Sequence, residues 1–590
     1  MIKKGRANLR STGIQSPYTL VSALAGIIFC LSPLYPRAEN FVPAPPADAR
    51  LAEFTFHGRL TLQTETPLLL EVFRDDYQFS ANPALSMDRL PAFNFHYVQD
   101  GSHLIPLQRG AIPGEHPKTE YILEPGRVWQ DPEQPLSSRI SLPFSLQERS
   151  ANCTHNGVLS FSIHPDGTLT PVNILIASET CMYYKFNLSG ILAGTYQANE
   201  SPQDDAVVTA FRRRQAARLP TTPITELTNR YPGIELAQFA GGGRLPTEDT
   251  TLFGFVVDGV HYRSHCQTRQ GLFPFCDQLS LPSYSLAKTL IAGLAAMRLE
   301  KVYPGSMQAL IAKYVPECRD SDNWKDVTFE HALNMVTGNY NSPLAHADED
   351  SEVTEEMFLS RSSHSDKISF SCNAWPRRAK PGSQWVYHSS DTYLLGTAMN
   401  ALLKQKKGQD ADIFDDLILP LWQPMSLSPA VAMPMRSNDE RAQPYADFGM
   451  TLLPDDIARL ATALNQEAFG QQLDSKMYHS AMQHLPDSRG HRHPDVAQFY
   501  YRNGFWAYDA QSLLACDEPV MVPFMSGYGG ITVLMMPNDT VYYIFGDGGK
   551  FAFTGALLQS HRIRSMCPKV DGSGRTRRAD PDPRREKKPS

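Results

Sequence analysis

The chain has 590 residues, of which 42% are hydrophobic and 20% charged, with a formal net charge of -7. At roughly 100 to 200 residues per domain this length predicts two to four domains, and the balance is that of folded, soluble protein with ample core. The acidic net charge excludes the basic field that nucleic-acid binding requires.

Positive charge opens the sequence in MIKKGRANLR; the apolar run TLVSALAGIIFCLSPL follows, then the small-residue PRA and the acidic EN. This order predicts a signal peptide over residues 1–38, cleaved near Ala38, and hence export to a periplasm or the medium. The competing reading is an uncleaved N-terminal anchor that would hold the protein at the cell envelope, since the apolar run falls only a few residues short of the roughly 20 that span a bilayer. Setting Cys30 aside from the nine cysteines leaves an even number. In an oxidising compartment this predicts disulfides, with Cys153/Cys181 and Cys266/Cys276 near enough in sequence to close short loops, and the full connectivity left open. No C-x-x-C or H-E-x-x-H spacing occurs, so neither a metal site nor a cofactor is expected.

Residues 39–205 are strand-rich: FTFHGRLTLQTETPLLLEVF and GVLSFSIHPDGTLTPVNILIAS alternate or run apolar in short stretches, with HPDGT as a turn. They predict a β-rich accessory domain, sandwich or barrel-like, in which nothing gathers into a catalytic cluster. The polar ANESPQDD reads as a linker, and AVVTAFRRRQAARL as a short helix beyond it. From 220 to 568 helix and strand signals mix. SLAKTLIAGLAAMRLEK and TLLPDDIARLATALNQ read as helices, and GGITVLMMPNDTVYYIFGDG as two strands joined by a turn. Residues 569–590 have no apolar face to bury and read as a disordered basic tail.

Three segments of the second region carry chemistry. In LPSYSLAKTL, Ser285 stands one helical turn before Lys288 at the start of an apolar helix. A serine hydroxyl needs an adjacent base, and a lysine on the same helix face supplies one once its pKa is lowered. The pattern by itself is weak, because a chain of this length yields about two S-x-x-K matches by chance, and a capped helix N-terminus would also account for it. Downstream, PGSQWVYHSSDTYLLG offers Tyr387 as a second base, with Ser389 two positions on to bind substrate or lysine. In MSGYGGITVLMMP, Gly527, Gly529 and Gly530 permit close backbone approach at the start of a buried strand, and the N–H of Ile531 is the expected oxyanion donor beside that of Ser285. Taken singly, Tyr387 could be packing and the glycines a bulge.

In this order the three segments resemble those of the penicillin-recognising serine hydrolases, in the class C β-lactamase and esterase branch that also holds D-aminopeptidases and DD-peptidases. IAKYVPE followed by VTFEHALNMVTG, LPLWQPMSLS, and FGMTLLPDDIARLATAL extend the resemblance over roughly residues 225–565. It implies an α+β fold, a DD-peptidase/β-lactamase-like domain with an antiparallel sheet flanked by helices plus a helical half, preceded here by the β-rich domain. It also implies that Ser285 is acylated, that Lys288 activates it, and that Tyr387 takes the serine proton and later activates water. Two positions depart from the family: Ser389 replaces asparagine, and Tyr528 stands where the family has lysine or histidine. A neutral tyrosine cannot hold a substrate carboxylate by charge. The expectation is therefore an exported hydrolase of small-molecule or peptide esters and amides rather than an efficient β-lactamase, with Ser389, Tyr528, Gly529, Gly530 and Ile531 facing the substrate. The alternative is a non-catalytic binding protein that retains the fold. His491 and His493 read as a solvated turn, and the absence of a G-x-S-x-G elbow argues against an α/β-hydrolase.

Overall fold

The computed structural model describes residues 41–577 except 42, 135, 269–270 and 571–575. The signal-peptide expectation falls outside the described residues, as does most of the tail, of which 569–570 and 576–577 pair as a short antiparallel ladder.

Every strand of a 12-stranded antiparallel sheet comes from the N-terminal part of the chain. Its longest members, Ser138–Glu148 and Thr154–Ile163, lie side by side and are buried along their whole length. Strands covered on one face only would alternate buried and exposed; these are covered on both. Successive side chains accordingly serve different cores: Leu159 packs with Leu142 and Phe161 inside the N-terminal region, whereas Val158 packs into the core of the region that follows. The helix Asp204–Ala217 then leads into a nine-stranded sheet. Its order is 221–223, 260–263, 250–257, 540–546, 531–536, 521–527, 505–509, 499–502 and 491–492, antiparallel except for the first pair.

Period-two alternation divides this second sheet between two cores. Leu252, Val256, Val533, Met535, Tyr543 and Phe545 face the helical half, while Phe255, Val257, Leu534, Met536, Tyr542 and Ile544 face the C-terminal helix Thr554–Ile563. Burial on both faces is why ITVLMM and VYYIF read as continuous apolar runs. The expected helix after Ser285 opens as a π-helical turn, Lys288–Gly293, before Leu294–Val302 continues as α-helix. A Cβ on Gly293 would lie 2.8 Å from the Asn503 carbonyl, so only glycine lets the turn at Asn503–Gly504 come this close.

The disulfides are Cys153–Cys181, Cys266–Cys276, Cys318–Cys372 and Cys516–Cys567. They pair every cysteine among the described residues, including the two short loops expected from spacing. No helix among the described residues is long and apolar enough to cross a membrane.

Candidate active site

Ser285 sits directly behind a two-residue strand, Leu281–Pro282, which pairs with Thr451–Leu452. Tyr284 between them adopts φ 40°, a left-handed conformation that a bulky residue holds only when its surroundings impose it. The turn delivers Ser285 to the entrance of the π-helical turn, where the fully enclosed Lys288 meets it. The Lys288 Nζ donates to Ser285 Oγ at 3.1 Å, to Ser389 Oγ at 2.8 Å and to the Asp447 carbonyl at 3.2 Å, so all three ammonium protons are used. It also lies 5.0 Å from the centre of the Tyr387 ring.

Tyr387 is held by its backbone, whose N–H donates to the Ala345 carbonyl at 2.9 Å, and by its ring. Trp506 stacks nearly parallel to it at 6.1 Å, and His346 lies 5.0 Å away. Burial and the nearby Glu349 carboxylate push the phenol well above its ordinary pKa, opposed by a hydrogen bond with Ser285. Burial lowers the Lys288 amine, while Glu349 and Asp447 pull it back up. Both shifts favour uncharged groups, as expected where water is excluded.

The third segment forms a strand end and a hairpin turn. The strand Met521–Gly527 ends beside the nucleophile turn: a Cβ on Gly527 would lie 3.0 Å from the Ser283 carbonyl. Tyr528 begins the hairpin turn and is 45% exposed, its ring 5.7 Å from that of Tyr284. Gly529 and Gly530 take φ of 90° and 107° and pack against the backbone of Gly546 and Lys550, so their role is to close the hairpin. Ile531 is wholly buried and pairs across the ladder with Gly527. Ser285, Lys288, Tyr387 and Ser389 thus converge, while the glycine-rich segment meets the site through Gly527 and, at the rim, Tyr528. His493, expected in a solvated turn, is buried and packs 5.2 Å from Trp385 and 5.6 Å from His346.

Residues 281–545 match the family model described as Beta-lactamase. This stretch is the part of the chain that is similar to the Beta-lactamase family. Solved structures similar to the chain include a putative 6-aminohexanoate-dimer hydrolase from Bacillus anthracis (16% identity, 58% of this chain and 80% of that one, TM-score 0.39). A penicillin-binding protein from Bacillus halodurans (14% identity, 55% and 98%, TM-score 0.39) is another. A third is EstCE1, a hydrolase with promiscuous acyltransferase activity (15% identity, 61% and 98%, TM-score 0.40). No curated protein matches the sequence.

Three residues of the site escaped the sequence reading. Glu349 is the partner of Ser389: it accepts the Ser389 N–H at 2.8 Å on one carboxylate oxygen and the Ser389 hydroxyl on the other. It thereby caps the helix Ser389–Lys407, where free N–H groups favour a negative charge. Ser389 passes the contact on by accepting from Lys288, so Ser389 links Glu349 to the lysine. Glu349 lies in the acidic run AHADEDSE, which in sequence looks like a solvated loop.

Asp447 is the second. Its carbonyl accepts from Lys288, while its wholly buried carboxylate has no hydrogen-bond partner among the described residues. Burial pushes that carboxyl up to about 6 against the pull of Lys367 and Lys288. Lys367 stands in a box of rings, 4.3 Å from Phe358, 4.8 Å from Tyr445, 5.1 Å from Phe448 and 5.7 Å from Tyr393, and burial lowers its amine to about 8.

The third lies outside the Beta-lactamase domain. Asn152, at the turn between the two long N-terminal strands, accepts the Tyr284 N–H at 2.8 Å, the Ser283 hydroxyl at 3.2 Å and the Gly449 N–H at 3.1 Å on its Oδ1. Its amide donates to the Met450 carbonyl at 3.2 Å. Asn156 likewise brackets Ser280, accepting its N–H at 2.9 Å and donating to its carbonyl at 3.1 Å. The N-terminal sheet therefore holds the turn that presents Ser285.

Proposed function

We propose that the protein is an exported serine hydrolase working through an acyl-enzyme on ester or amide substrates, Ser285 being the nucleophile. The observation that carries this reading is the Lys288 amine, wholly enclosed and 3.1 Å from the Ser285 hydroxyl. Depressed by burial, a neutral Lys288 takes the serine proton across that contact as Ser285 attacks. Tyr387, kept protonated by burial and by Glu349, serves as the hydrogen-bonded relay that carries the proton on to the leaving group. The oxyanion is assigned to the N–H of Ser285 and to the strand pair Gly527 and Ile531, whose Gly527 end abuts the nucleophile turn.

The charge around Ser285 bears on substrate. Glu349 and Asp447 both stand beside Lys288, and the motif position that would hold a carboxylate by charge is filled by Tyr528. Near Ser285 the Tyr387 ring stacks on Trp506, and the Tyr284 ring lies 5.7 Å from that of Tyr528. This favours neutral or cationic esters and amides with apolar groups over carboxylate-bearing penicillins and D-alanyl peptides. Export is supported by the four disulfides, which persist in oxidising compartments.

The test is intact mass of the purified protein after a fluorophosphonate probe. One adduct is expected on the wild type and none on Ser285→Ala, with turnover of neutral aryl esters far above that of cephalosporins. An unlabelled wild type, under conditions that label a control serine hydrolase, would support the alternative of a binding protein built on the same fold.

A further inference from the structure

In the helical half, three metal-ligating side chains are brought together by two consecutive turns. The helix Pro454–Asn465 ends where Glu467 takes φ 57°, and the helix Ser475–Ala481, which carries His479, ends where Gln483 takes φ 62°. That second turn doubles the chain back so that the His484 N–H donates to the His479 carbonyl at 2.8 Å. The two imidazoles meet through the same nitrogen, Nδ1 to Nδ1, at 3.0 Å. Glu467 Oε1 lies 3.3 Å from the His484 Nδ1 and 3.8 Å from the His479 Nδ1.

Two imidazole nitrogens at that distance need something positive between them, either a proton or a metal ion. The distances accommodate the ion. A point equidistant from three atoms with these separations lies about 2.0 Å from each, which is the Zn–N and Zn–O bond length. Two imidazole nitrogens and one carboxylate oxygen form a borderline donor set that suits zinc and its first-row neighbours, whereas calcium and magnesium require oxygen ligands throughout. All three side chains are partly buried, which leaves room for water in the remaining coordination position.

We infer that Glu467, His479 and His484 form a three-ligand binding site for a divalent transition metal, with zinc as the fitting ion. Their spacing matches no sequence motif for zinc, because the ligands come from two separate turns. The site is structural in placement. The segment it would clamp touches the nucleophile helix directly, the Asp474 N–H donating to the Met297 carbonyl at 3.0 Å, and indirectly through the turn at Asn503–Gly504, the Asn503 amide donating to the Met477 carbonyl at 3.0 Å. Thr289 in turn donates to the neighbouring Gly504 carbonyl at 2.6 Å. Metal there braces the support of the nucleophile helix without reaching the reacting atoms.

Stoichiometry reads the site cleanly. The cysteines among the described residues are all in disulfides, and no other group of three histidine, cysteine or carboxylate ligands converges among those residues. The experiment strips the purified full-length protein with chelator, re-adds zinc chloride, removes excess by gel filtration, and measures bound metal and thermal unfolding. About one equivalent of zinc retained per chain is expected, with unfolding a few degrees higher than in the stripped protein. His484→Gln, which preserves bulk and polarity, and Glu467→Gln should each lose the retained zinc and the thermal shift, while His491→Ala keeps both. The proposal is overturned if the wild type retains no zinc, or if His484→Gln retains as much as the wild type.

Discussion

Ser389 converts a fixed lysine into an adjustable one. Its hydroxyl accepts from Lys288 at 2.8 Å and donates to Glu349, so the carboxylate acts on the amine through a single oxygen. Ser389→Ala breaks that link and leaves the Lys288 amine and the Glu349 carboxylate without their shared partner. A fall in kcat/KM of roughly 10- to 100-fold is expected, or about 1.4 to 2.7 kcal/mol of transition-state stabilisation. Glu349→Gln keeps one acceptor for Ser389 but removes the charge that raises the lysine pKa. If neutral Lys288 is the base, activity rises with pH as the amine loses its proton. Removing Glu349's charge lowers that pKa, so the rising limb of the kcat/KM profile on a neutral ester should move to lower pH. A limb that stays in place in Glu349→Gln would assign it to another group. Legibility at this scale followed local spacing: Ser285 and Lys288 share a helical turn, and Tyr387 and Ser389 share a loop. Glu349 and Asp447 reach the site only through tertiary folding, and no periodicity in the chain announces either.

At the scale of elements, the N-terminus of the helix Ser389–Lys407 is organised around a buried cation. His388 is stacked on Trp375 at 5.4 Å, with Asp348 at 3.3 Å from Nε2 and Asp391 at 3.5 Å from Nδ1. Burial alone would lower its pKa, but the two carboxylates outweigh burial and raise it from 6.5 to about 9. A folded-state pKa above the unfolded one means that the protonated form is stabilised by folding. Its contribution is complete below pH 6.5 and is lost as pH rises through about 9. The loss amounts to something on the order of 3 kcal/mol. Urea unfolding of the wild type should therefore weaken between these pH values, whereas His388→Gln should be less stable at pH 6 and lack that slope. An unchanged slope in the variant would remove His388 from the account. The hairpin Ile531–Met536 with Thr540–Gly546 and the helix Pro454–Asn465 were legible from their apolar patterns. The register at Gly527 to Ile531 was not, because a sheet buried on both faces gives an apolar run without the alternation that would fix which residues meet the nucleophile turn.

At the scale of the whole molecule, the relation between the two sheets was the least legible feature. Strand-rich sequence without a catalytic cluster predicts an accessory role for residues 39–205, and the described residues from Phe41 onward group into one compact unit. The signal for this is tertiary: buried asparagines in a β-turn are ordinary in sequence, and only the fold shows that Asn152 grips Ser283, Tyr284, Gly449 and Met450. Tyr284 needs such a grip, since its φ of 40° is unfavourable for its side chain. Asn152→Ala leaves the buried Tyr284 and Gly449 N–H groups without their acceptor, at a cost of about 3 kcal/mol in stability. It also frees Tyr284 to relax toward an ordinary conformation and carry the Ser285 hydroxyl out of line with Lys288. The expected signature is a kcat reduced roughly 10- to 100-fold with KM little changed, because substrate contacts survive while the near-attack geometry does not. Fluorophosphonate labelling should slow in proportion, and circular dichroism should stay native. Retention of full kcat in a folded Asn152→Ala protein would show that the strained turn is held by the Beta-lactamase domain alone, and would return the N-terminal sheet to an accessory role.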